Sequence, residues 1–203
     1  GNYEQHNLDL IKRSLPEGGT FVDVGANIGI LTLTARTAVG PSGKVISFEP
    51  MAANAALLIK SIILNNFSNI TVHPVALSDR HSTLYLEGSS NGALLPSGNP
   101  ERRLTTALGD DFLSREDRVD FIKLDIEGYE PLALKGLSKT IKRHKPTVMC
   151  EYNPIMMKNT SGYDNAQFVR DIFAMCDGLT AIDYDGGVYP IKTGTALHEL
   201  WRE

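Results

Sequence analysis

Two cysteines and one tryptophan in 203 residues, and no long apolar run, mark what this chain is short of. Cys150 and Cys176 have neither Cys nor His at metal-ligand spacing. That pattern argues against a zinc knot or a disulfide scaffold and reads as two reduced core thiols of a cytoplasmic protein. No stretch approaches the roughly 20 apolar residues of a membrane span. The start, Asn2-Tyr3-Glu4-Gln5-His6, is too polar for a signal peptide, and Gly1 in the first position is expected of a processed or excised piece. Positive charge is scarce too. Twenty Lys and Arg against 24 Asp and Glu leave a net charge of −4, which argues against a partner made of nucleic-acid phosphates. The densest basic run, residues 139–145, falls late in an expected helix, where cations complement the dipole and face solvent. At 42% hydrophobic and 22% charged, the composition is that of an ordinary globular protein, and the length suits one domain over residues 1–203.

A further shortage is of glycine at two telling places. Phe21-Val22-Asp23-Val24-Gly25-Ala26-Asn27-Ile28-Gly29 reads as a strand, a tight turn and a helix start, the arrangement that brings a nucleoside-bearing ligand to the backbone. A dinucleotide fingerprint requires Gly at the first, third and sixth positions, so that a pyrophosphate can approach the helix end. Counted from Gly25, the third position is Asn27 and the sixth is Ile30. A nicotinamide-dependent oxidoreductase therefore stands as the weaker alternative, and a catalytically silent binding domain as another. Asp-x-Gly-x-Asn-x-Gly suits a smaller, cationic cofactor. Gly25 permits close approach, Asn27 tolerates a positive φ, and Asp23 can hold a carboxylate near an ammonium. S-adenosylmethionine, with an amino group, a sulfonium and no phosphate, matches that chemistry.

The next strand, residues 44–50, ends on Glu49, about 20 residues past the glycine turn, where an acid binds ribose hydroxyls in open α/β sheets. Asp125-Ile126-Glu127-Gly128-Tyr129-Glu130 is the second cluster. Asp125 ends an apolar strand and Gly128 lets the chain turn behind Glu127, whereas Glu130 reads as a helix N-terminal acid. Asp125, Glu127 and Glu151 are the candidate catalytic carboxylates. His73 reads as a strand histidine rather than a base. Asp125 with Glu151 and Asn153 echoes a divalent-cation site whose oxygen ligands would suit Mg²⁺. Tyr152 interrupts that pattern, and no metal ligand is assigned.

Along the chain, helices and strands alternate with short connections, which predicts a doubly wound, mostly parallel α/β sheet. An entry helix spans residues 8–15. Strands are expected at residues 20–24, 44–50, 70–75, 119–125 and 147–152, with helices at 52–64, 131–143 and 165–175. Residues 82–87 read as a small extra strand and 88–103 as a loop placed to act as a substrate-side lid. Residues 179–184 and 188–191 flank Asp185-Gly186-Gly187, an antiparallel hairpin ending the sheet.

Val22 to Gly29, Phe48-Glu49-Pro50, Ala76-Leu77-Ser78-Asp79 and Ile122 to Glu130 together resemble the FkbM family of S-adenosylmethionine-dependent methyltransferases, over residues 3–152. The resemblance implies a class I, Rossmann-like fold and transfer of a methyl group to a hydroxyl of a sugar, polyketide or related small metabolite. It places Asp23, Gly25, Ala26 and Asn27 at the methionine end of the cofactor and Glu49 at the ribose. Ala76 and Leu77 fall by the adenine, and Asp125 closes the pocket on the substrate side. The stretch 105–113 resembles the family only loosely, with Gly109 intruding, and residues beyond Tyr152 carry little of the pattern.

Overall fold

Strand alternation sorts the core into two faces. Phe21, Val45 and Phe121 occupy one side of three neighbouring strands and Val22, Ile46 and Ile122 the other, all buried. The computed structural model describes residues 5–86, 94–95, 97–183 and 185–202. Its elements in chain order are α1 (Gln5–Ser14), β1 (Thr20–Val24), α2 (Ile30–Val39), β2 (Lys44–Phe48), α3 (Ala52–Leu64), β3 (Ile70–His73), β4 (Ala76–Leu77), β5 (Ser82–Leu86) and β6 (Leu94–Leu95). After a 3₁₀ turn (Pro100–Arg102) come β7 (Arg103–Ala107), α4 (Gly109–Leu113), β8 (Phe121–Leu124), α5 (Glu130–Gly136), α6 (Ser138–His144) and β9 (Thr147–Cys150). The chain continues through α7 (Pro154–Thr160), α8 (Asn165–Met175), β10 (Leu179–Ile182), β11 (Val188–Ile191) and α9 (Gly194–Arg202).

The central sheet has the order β3-β2-β1-β8-β9 with every pairing parallel. Residues of α1 and α2 cover the Phe21 face, α3 extends that layer beside β3, and α4 to α8 cover the Val22 face. This is the doubly wound, parallel α/β sheet that the residue pattern predicts. Each fully buried large side chain, among them Phe48, Leu58, Leu124 and Phe168, contributes about 1.5–3 kcal/mol. The expected hairpin is present, but β10 and β11 pair with each other as a sheet of their own and pack on α8 and α9.

Several local expectations differ from the structure. The third strand stops at His73, and Ala76–Leu77 pairs instead with Thr106–Ala107 in a second sheet, β4-β7-β5-β6. Part of the lid segment is strand: Leu94–Leu95 pairs with Tyr85–Leu86, and Arg103 opens β7. Residues 88–93 and 96 of that expected lid lie outside the described residues. The single helix expected over 131–143 is two, broken at Leu137. Asp110 causes the break, its carboxylate accepting the amides of Lys139 and Thr140 and the Thr140 hydroxyl. It thereby starts a new helix where the old one would have run on. Of the two thiols, Cys150 is half-buried in β9, but Cys176 is exposed, because the chain turns extended straight after α8. It is not a core thiol.

Candidate active site

A cavity of about 410 Å³ opens at the carboxyl ends of β1, β2 and β8, where parallel sheets place their ligands. Its floor is the turn after β1. Gly25 and Ala26 donate their amides to Phe48 O at 3.0 and 3.1 Å, and Gly29 donates to Ala26 O at 2.9 Å. Gly25 (φ 81°) and Asn27 (φ 50°) both occupy the left-handed region. The Asn27 amide donates to Glu49 Oε2 at 2.8 Å, and the Met51 amide donates to Glu49 Oε1 at 2.9 Å. Glu49 therefore lines the cavity and ties the turn after β1 to the one after β2. Burial pushes its carboxyl up, against those two amides, Asn54 and the nearby Lys123 ammonium. With four amides of the turn donated internally and a carboxylate set among them, the floor has little to offer a pyrophosphate. It suits a ligand rich in hydroxyls and positive charge, and in that respect the residues present fit S-adenosylmethionine.

Of the sequence-derived candidates, Gly25, Ala26, Asn27, Glu49, Ala76, Leu77, Asp125 and Glu127 all line this cavity. Asp23 does not. It is fully buried below the floor, accepting the Thr32 hydroxyl at 2.6 Å on Oδ2, with Lys123 Nζ 3.3 Å from Oδ1. Thr32 of α2 covers one carboxylate oxygen, and the ammonium facing the other belongs to its own chain.

The acidic wall is made by the loop after β8. Glu127 takes a left-handed φ of 57°, uncommon for a residue with a side chain, and Gly128 follows at φ 94°. A Cβ on Gly128 would sit 2.6 Å from the backbone of Met156, so α7 packs directly against this turn. Glu130, expected to be a simple helix-end acid, is buried, and its carboxylate accepts the Ile126 amide at 2.7 Å, closing the loop from behind. Glu151 follows β9 and is hydrogen-bonded to Asp125. Its carboxyl is raised to about 7, first by burial and then by Asp125, Glu130 and Glu127. Burial, then Asp125, also raises Glu127. His73 stacks on Phe48 and lies 4.7 Å from Phe112, with its pKa lowered by burial, as suits a packed strand residue.

Neither Lys123 nor the bracing role of Glu130 stood out in the sequence. A lysine between the apolar neighbours of Phe121-Ile122-Lys123-Leu124 was the available signal, since a charge inside a central strand must be paired. Among the described residues, no group of three or more His, Cys, Asp or Glu is arranged to hold a metal ion. Asn153, one member of the echoed cation site, accepts the Met156 amide and caps α7.

A family model described as the methyltransferase FkbM domain matches residues 23–177. This chain belongs to that family. The FkbM domain here is similar to Methyltransferase 1 of Beauveria bassiana (strain ARSEF 2860), with 28% identity over 149 residues, 60% of this chain and 59% of that protein. Methyltransferase FkbM from Methylobacillus flagellatus KT has a similar structure: TM-score 0.61 at 22% identity, covering 86% of this chain and 44% of that one. A SAM-dependent methyltransferase from Aquifex aeolicus aligns with TM-score 0.51 at 15% identity, covering 91% and 88% of the two chains. This FkbM domain thus spans less than two thirds of the length of the first two relatives. No helix among its described residues is long and apolar enough to cross a membrane.

Proposed function

We propose that this domain is an S-adenosylmethionine-dependent methyltransferase that modifies a hydroxyl of a sugar, polyketide or related small metabolite. The observation that carries the reading is Glu49, a buried carboxylate on the cavity wall between the two turns where a nucleoside would lie. In this reading Glu49 accepts the ribose hydroxyls, Ala76 and Leu77 flank the adenine, and the Gly25-Ala26-Asn27 turn meets the methionine end. When bound, S-adenosylmethionine supplies an electrophilic methyl group on a good leaving group. The protein's work is to align the acceptor and take up a proton. Alignment contributes up to about 7–11 kcal/mol in favourable cases.

In this reading the Asp125–Glu151 pair takes up the proton that the acceptor hydroxyl gives up. Asp125 faces the cavity, and Glu151, hydrogen-bonded behind it, has a proton affinity near neutral pH, where a general base is most effective. Glu127, fixed on the wall, orients the acceptor. The test is incubation with isotopically labelled S-adenosylmethionine and a fractionated metabolite extract, followed by identification of the labelled product. A labelled methyl ether in place of the acceptor hydroxyl is expected. Binding of S-adenosylhomocysteine with no labelled product in any fraction would leave only a silent binding domain. Preference for NADH in a thermal-shift comparison would remove the cofactor assignment.

A further inference from the structure

The face of the sheet under α2 changes character from one rung to the next. Val45, Phe21 and Phe121 form a buried apolar row, and two residues on along the same strands stand Ser47, Asp23 and Lys123, in register and all buried. Thr32 of α2 closes this polar row, donating to Asp23 and lying 2.9 Å from Ser47 Oγ. Lys123, only 5% exposed in its side chain, ends the row directly beneath the cavity. Its ammonium donates to Gly25 O at 2.8 Å, faces Asp23 Oδ1 at 3.3 Å and lies 3.8 Å from Asp125 Oδ2. It is the single cation among the described residues lining the cavity, against the acids Glu49, Asp125 and Glu127.

We infer that Lys123 is a positioning residue for the cofactor turn and for Asp125. The inference rests on the reading of the cavity as an adenosyl-sulfonium site. The amides of this turn bind Phe48 O and Glu49 on the β2 side, and Gly25 O is held from the β8 side. Lys123 supplies that anchor at Gly25 from one strand over, and the same ammonium sets the side chain of Asp125 across the cavity floor. One charge thus couples the surface that seats the methionine end to the carboxylate that faces the acceptor. Asp23 supplies the fixed counter-charge that keeps the ammonium in place, a burial tolerated because both ions are paired and hydrogen-bonded.

Lys123→Met alone strands the Asp23 carboxylate without its partner and is expected to lower thermal stability. The informative variant is the double substitution Asp23→Asn with Lys123→Met, which removes both charges and keeps an acceptor for Thr32. Calorimetric titration with S-adenosylhomocysteine and thermal unfolding are measured on wild type and both variants. The double variant is expected to regain most of the lost melting temperature while its affinity stays about tenfold or more below wild type, since small misplacements in a preorganised site are costly. Wild-type affinity in a stable double variant would reduce Lys123 to a counter-ion for Asp23 and overturn the inference. If the double variant does not fold, ¹⁵N-lysine spectra of the wild-type protein decide instead. The Lys123 ammonium signal should shift and gain exchange protection when S-adenosylhomocysteine binds, and an unmoved signal overturns the inference. Failure of wild type to bind S-adenosylhomocysteine takes down the proposed function as well, so the two failures are distinct.

Discussion

A Cβ built on Gly25 would stand 2.1 Å from the carbonyl oxygen of Asp125. The turn after β1 and the acidic loop are therefore in close contact, and the absence of a side chain at Gly25 is what lets β1 and β8 deliver both to one cavity. Gly25→Ala meets that carbonyl and also demands a φ of 81° from a residue with a side chain. The two penalties together should cost about 2–4 kcal/mol. Thermal denaturation should show the loss, and S-adenosylhomocysteine binding should be abolished. A variant with wild-type melting and affinity would contradict the contact.

Glu49 separates a structural effect from a binding effect. Glu49→Ala leaves the Asn27 and Met51 amides without their carboxylate, and each unsatisfied buried group costs about 1–3 kcal/mol. Glu49→Gln retains one acceptor oxygen and should stay folded, yet bind S-adenosylhomocysteine at least about tenfold more weakly, since an amide holds a ribose diol less well than a carboxylate. Unchanged affinity in the Gln variant would move the ribose site elsewhere.

The raised Glu151 carboxyl gives a signed pH dependence. A folded-state value of about 7 against an ordinary 4.5 means the folded protein holds this proton more tightly than the unfolded chain. Its contribution to stability is present below pH 4.5 and lost as pH rises through 7. Glu151→Gln should flatten the fall in melting temperature across that window. Turnover in wild type should rise with pH to a plateau above about 7, and the Gln variant should lose this limb along with most of its rate. A pH profile identical in the two proteins would exclude the Asp125–Glu151 pair as the proton acceptor.

Glu130 braces the loop that presents Asp125 and Glu127. Glu130→Ala frees the Ile126 amide and should cost about 1–3 kcal/mol, lowering kcat more than cofactor affinity. Asp125→Asn and Glu127→Gln, which leave that brace intact, should lower turnover with little change in melting temperature. Equal turnover in all three variants and wild type would remove the acidic wall from the chemistry.

Asp110 provides a control remote from the acids of the cavity. Asp110→Ala uncaps α6 and should cost about 0.5–2 kcal/mol without changing S-adenosylhomocysteine affinity. A change in affinity equal to that of Glu49→Gln would show that the break between α5 and α6 reaches the site.

Elements governed by local pattern were legible before any coordinates. α3 and α8 have the bounds expected from the sequence, 52–64 and 165–175, because a helix makes its hydrogen bonds within a few residues. The strands β1, β2, β8 and β9 were also readable from apolar runs ending in acid or turn residues, although β2, β8 and β9 end one or two residues before the expected bound. The elements that escaped depend on distant partners. Arg103 looks like a loop residue until Tyr85 pairs with it. Leu137 looks like the middle of a helix until Asp110 takes the amides that follow it.

By itself, then, the order of residues determined a parallel α/β sheet, a glycine turn unsuited to pyrophosphate, and a set of carboxylates at the carboxyl ends of neighbouring strands. Those are properties of short segments. Only the tertiary structure decided what each carboxylate does: Asp23 beneath the floor against Lys123, Glu49 bridging two turns, Glu151 sharing a hydrogen bond with Asp125. The reason is register. Which side chain faces which ammonium depends on the alignment of strands about one hundred residues apart, and that alignment is set by the packing of both faces of the sheet rather than by any local run of sequence.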